Sequence, residues 1–116
     1  DQIGSPTYTK DLAAALLAMI GTERYGVYHV TNEGVCSRAE FAAEILRLAG
    51  DSARVLPVES SAFPTAARRP LNSRLDKDCL TENGFSRLPH WRDALARFLA
   101  ETGAIGETNT EGGALP

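Results

Sequence analysis

The sequence predicts a small α/β domain with few strands and about four helices. Three observations carry this reading. Segments with apolar residues at helical spacing alternate with short β-branched or aromatic runs. A chain of 116 residues suffices for one domain and falls short of two. Helix start and stop signals are explicit, chiefly the Ser37-Arg38-Ala39-Glu40 run and the glycines at 21 and 50.

Each element follows from local chemistry. Over 10–20 a helix is expected, with Thr9 as N-cap, Asp11 in the first turn, and Leu12, Ala15, Leu16, Met19 and Ile20 as its buried stripe. "GTERYG" reads as a turn, and "VYHVT" (27–31) as a strand apolar on both faces, hence interior to a sheet. Ser37 and Glu40 form a capping box, opening a helix that carries Phe41, Ile45, Leu48 and Ala49 on one face and stops at Gly50. "ARVLPV" (53–58) is expected as a short strand that Pro57 pushes to an edge. An irregular stretch over 59–70 follows, then a short helix capped by Asp76 and ending before Asn83-Gly84. Trp91, Ala94, Leu95, Phe98 and Leu99 mark the last amphipathic helix. Residues 1–102 form the folded unit and 103–116 are expected as a flexible tail without periodicity.

Composition narrows the function classes. A formal net charge of -3 argues against a nucleic-acid footprint, and no apolar run approaches the roughly 20 residues of a membrane span. The two cysteines, Cys36 and Cys79, lack metal-ligand or CxxC spacing and read as free thiols, which points to the cytoplasm. Cys36 sits beside a helix start that would lower its pKa, yet with no base placed near it a packed thiol is the better reading. His29 reads as a hydrogen-bonded sheet residue and His90 as a helix-start residue.

No cofactor-binding or hydride-transfer signature is present. No Gly-rich turn joins a strand to a helix, so a dinucleotide pyrophosphate has no cradle. Tyr8, Tyr25 and Tyr28 are followed four residues later by Leu12, His29 and Asn32, so none has the lysine that tunes a reductase tyrosine. Two features point instead to binding. The Gly4-Ser5-Pro6-Thr7 loop fixes a backbone shape and offers hydroxyls. Arg68 and Arg69 lie in a proline-braced irregular segment, and guanidinium forks suit phosphate.

Together "DQIGSPTYTKDLA", "GVYHVTNEGVCSRAEFAAEIL" and "FPTAARRPLNSRLD" resemble, in order and spacing, the C-terminal part of the dTDP-4-dehydrorhamnose reductase family, extended short-chain dehydrogenases acting on nucleotide sugars. The resemblance implies a substrate-binding lobe from which the N-terminal Rossmann domain is absent. It implies participation in the NADPH- or NADH-dependent reduction of dTDP-4-dehydro-L-rhamnose to dTDP-L-rhamnose, with no cofactor held and no turnover by this part alone. The implied partners are a dTDP-sugar, the Rossmann domain and a second copy in a homodimer. Gln2, Ser5 and Thr7 become candidate polar contacts to the sugar nucleotide, and Arg69, with Arg68 second, the candidate diphosphate contact. Two alternatives remain: a non-catalytic homologue like the regulatory subunit of methionine adenosyltransferase, and another nucleotide-sugar epimerase or reductase.

Overall fold

The computed structural model describes residues 1–103. Its elements run β1 (Ile3–Gly4), α1 (Thr9–Ile20), β2 (Cys36–Ser37), α2 (Arg38–Ala49), a 3-10 turn (Ser60–Ala62), α3 (Asp78–Glu82) and α4 (Trp91–Thr102). The four helices expected from the sequence are present; the tail lies outside the described residues apart from Gly103, the left-handed C-cap of α4.

The core forms where α4 crosses α2. Trp91, Ala94, Leu95 and Leu99 are buried along α4, and Trp91, Leu95 and Leu99 pack with Cys36, Phe41, Ile45 and Leu48. Phe41 meets Trp91 edge-on, ring centroids 5.9 Å apart, the geometry favoured by the aromatic quadrupole. Both expected caps of α2 are made. Ser37 Oγ accepts from Glu40 N–H at 3.1 Å, Glu40 accepts from Ser37 N–H at 2.9 Å, and Gly50 closes the end with φ 72°. His90 caps α4, its Nδ1 accepting from Arg92 N–H at 3.1 Å; at α3 the N-cap position is held by Lys77 and not by the expected Asp76, whose carboxylate nonetheless accepts the Asp78 N–H at 2.7 Å.

Several expectations are corrected. Neither 27–31 nor 53–58 forms a strand, because among the described residues no neighbouring segment pairs with either. The sheet is instead a minimal one: β1 and β2 pair antiparallel, Ile3 with Ser37 and Gly4 with Cys36. On the other side of β1, Ile3 N–H donates to Leu71 O and Ser73 N–H to Ile3 O, tying the chain's opening to the segment after Pro70. The expected stripe of α1 is not buried: Leu16 and Ile20 are 50% and 76% exposed. Thr9 does not cap α1; Tyr8 holds that position, and its N–H donates to Asn32 Oδ1 at 2.7 Å. His29 is exposed, not a buried sheet residue, and Phe98 on α4 is 45% exposed. Burial pushes the Cys36 thiol up, opposite to the helix-end effect, so it stays protonated and packed.

Polar anchors hold the irregular middle of the chain. Fully buried Asn32 donates to Asp11 and to Pro89 O while accepting from Tyr8 N–H, so one amide joins three segments. Buried Lys77 donates to Thr31 Oγ1 and Asn32 O and sits 3.3 Å from a Glu33 carboxylate oxygen.

Candidate functional site

A groove of about 1010 Å³ opens between the first residues of the chain, the start of α2 and the irregular stretch 55–71. Its position follows from the β1 contacts, since Ile3 binds β2 on one flank and Leu71 on the other. Pro70 and Pro64 bracket the intervening "TAARR", which has no helix or strand of its own and lies wholly on the surface.

At the rim nearest the chain's opening, side chains form a continuous relay. Arg38 Nε donates to Gln2 Oε1 at 3.0 Å, and Gln2 Nε2 donates to Ser60 Oγ at 3.1 Å. Ser60 donates both its hydroxyl and its backbone N–H to the Asp1 carboxylate. Arg68 and Arg69 line the same groove, fully on the surface, with no hydrogen-bond or ion-pair partner among the described residues. This sets them apart from Lys10, Arg47, Lys77, Arg87, Arg92 and Arg97, each of which stands beside a carboxylate. Exposed Leu56, Val58 and Phe63 add apolar surface to the groove.

Thus Gln2, Arg68 and Arg69 converge, while Ser5 and Thr7 stand apart from the groove. Ser5 Oγ donates to Gly34 O at 2.6 Å, pinning a left-handed turn (φ +85°) at which a side chain would collide with His90. Thr7 Oγ1 donates to Ser5 O at 3.2 Å, and Thr7 lines a separate apolar pocket with Tyr8, Phe41, Trp91 and Phe98. Their hydroxyls therefore shape the opening loop. Arg38 and Ser60 are groove residues that sequence reasoning missed. Nothing local marks them, for their roles arise from contacts 36 and 58 positions away.

Chemically the groove offers uncommitted guanidinium groups, one amide and apolar area, a combination suited to an anionic organic ligand. Among the described residues no group of histidines, cysteines or carboxylates is placed to hold a metal, and no helix is long and apolar enough to cross a membrane. The β1–β2 pair is antiparallel, with two residues in each strand, and among the described residues no Gly-rich turn joins a strand to a helix.

Comparison with known proteins places this geometry in a family. The dTDP-4-dehydrorhamnose reductase of Mycobacterium tuberculosis is 46% identical over 102 residues, covering 86% of this chain and 34% of that protein. Spore coat polysaccharide biosynthesis protein SpsK of Bacillus subtilis is 43% identical over 101 residues, covering 87% and 35%. The crystal structure of a Bacillus anthracis dTDP-4-dehydrorhamnose reductase in complex with NADP superposes with a TM-score of 0.82 at 45% identity, over 88% of this chain and 36% of that one. The chain therefore spans about a third of the length of these relatives. The model of the RmlD substrate binding domain matches residues 1–104, and the chain, with its arginine-lined groove, belongs to that family.

Proposed function

We propose that this chain is the nucleotide-sugar-binding part of a short-chain dehydrogenase/reductase of the cytoplasm. That enzyme reduces dTDP-4-dehydro-L-rhamnose to dTDP-L-rhamnose with NADPH or NADH. The observation that carries the reading is the pair of uncommitted guanidinium groups, Arg68 and Arg69, on a groove of a domain whose family is defined by substrate binding. Guanidinium forks bind phosphoryl oxygens in bidentate fashion, and the Leu56, Val58 and Phe63 surface gives the less polar parts of a sugar nucleotide something to cover. Gln2 contributes its remaining amide proton. Ser5 and Thr7 act not by direct contact but by holding the loop that carries Gln2.

Hydride delivery and protonation of the sugar oxygen belong to the portion of the relatives' length that this chain does not span, which is assigned a Rossmann domain. The exposed apolar face of α1, with Leu16, Leu17 and Ile20, supports such a neighbour, because surface of that kind is ordinarily covered. The binding and regulatory alternatives draw no specific support from the groove.

Calorimetric titration of the complete protein carrying this chain tests the assignment. Arg69→Ala is expected to raise the Kd for dTDP-rhamnose by about tenfold or more, the value of a lost charge-assisted contact, and to leave NADPH affinity unchanged. Unaltered sugar-nucleotide affinity would make Arg69 a solvated surface charge.

A further inference from the structure

Arg38 shares the groove with Arg68 and Arg69 but differs from them in being held. Its backbone N–H donates to Gln2 O at 3.3 Å and its Nε to Gln2 Oε1, while Gln2 is fixed in turn by Ser60. These bonds use one guanidinium nitrogen. The two terminal amino groups, with four N–H donors, have no partner among the described residues. Among the described residues no carboxylate pairs with Arg38, and its i+3 and i+4 neighbours on α2 are Phe41 and Ala42, so no acid one turn along the helix competes for it. Two carboxylates do line the groove. Asp1 is committed to Ser60, leaving Glu59, among the described residues, as the one other acid on the lining against three arginines.

An arginine whose Nε is satisfied and whose outer edge is free is preorganised: less rotamer entropy remains to be lost when an anion arrives. We propose that Arg38 is a third anion-binding residue of this groove, oriented by Gln2, and that with Arg68 and Arg69 it grips the diphosphate of a nucleotide. The proposal rests on the groove reading given above. It gives Gln2 a positioning role through Oε1 beside the contact offered by its remaining Nε2 proton, and it makes the groove selective for a diphosphate, whose two phosphoryl groups engage separate arginines, over a neutral nucleoside.

The test is an NMR-monitored titration of the complete protein carrying this chain with dTDP and, separately, with thymidine. The wild-type protein is expected to bind dTDP and to shift the Arg38 Nε–H resonance. Arg38→Ala is expected to weaken dTDP about tenfold and to leave the thermal midpoint unchanged, and Arg38→Lys to recover part of the loss. Gln2→Ala is expected to weaken dTDP by about threefold, because the arginine remains but loses its support. Equal dTDP affinity in wild type and Arg38→Ala, with Arg69→Ala still weaker, would overturn the role of Arg38 and leave the groove reading standing. A wild-type protein that shows no dTDP-dependent shift up to about 10 mM would overturn both.

Discussion

Helices α1 and α4 are each 12 residues long, yet they have opposite fates. The more apolar one, TKDLAAALLAMI, buries none of its residues; WRDALARFLAET buries Trp91, Ala94, Leu95 and Leu99. The contacts that attach α1 to α4 are polar and aromatic. Arg97 forms a fork on the Asp11 carboxylate at 2.9 and 2.7 Å, Lys10 and Tyr8 both reach Glu101, and Tyr8 meets Phe98 edge-on. The difference teaches that hydrophobic periodicity defines which face is apolar and says nothing about whether a partner covers it. α4 finds α2 within this chain. For α1, the leucine and isoleucine face is left half or more exposed at Leu16, Leu17 and Ile20.

The comparison breaks most sharply under paired truncations. Trp91→Ala is expected to cost about 3–5 kcal/mol, because it removes transfer free energy and leaves a cavity between α2 and α4. Leu17→Ala, at a position 70% exposed, is expected to stay within about 0.5 kcal/mol. Urea denaturation of both variants reads the contrast, and a Leu17→Ala loss comparable to that of Trp91→Ala would mean that the α1 face is covered.

A second prediction probes the polar seam joining the two helices. The Arg97 fork, aided by an Asn32 hydrogen bond, holds the Asp11 carboxyl below the ordinary carboxylate range. Its contribution to stability is therefore complete above the unfolded pKa of about 4, and it is lost as pH falls through the lower folded value. Glu44, buried and gripped by Arg47 and Arg92, shifts in the same direction. Asp11→Asn is expected to lower stability at pH 7 by about 1.5–3 kcal/mol and to flatten the decline between about pH 5 and pH 2. Denaturation midpoints across that interval measure it, and an Asp11→Asn variant retaining the wild-type slope would remove Asp11 from the acid response.

The smallest expected effect concerns α2, the partner that makes α4 different. Ser37→Ala should cost about 1 kcal/mol, since the capping box loses one of its two reciprocal bonds while the helix keeps its buried face. An unchanged midpoint would show that packing against Trp91 alone defines the start of α2.

What was legible in the sequence has one physical origin. The capping box at Ser37, the stop at Gly50, the cap at His90 and the stripe of α4 are written in residues no more than about four apart, the span across which a helix closes its bonds. So is the proline-braced pair Arg68-Arg69, because adjacency and turn chemistry are local too. Only the tertiary structure decided the rest. Residues 27–31 have every strand preference, yet a strand exists only where a second segment supplies hydrogen bonds. The α1 stripe required a covering surface to become core. Asn32 became the junction of three segments, and Arg38 a groove residue, through partners tens of positions away in sequence. Local bonding is encoded in order along the chain; coverage and convergence depend on what the fold brings alongside.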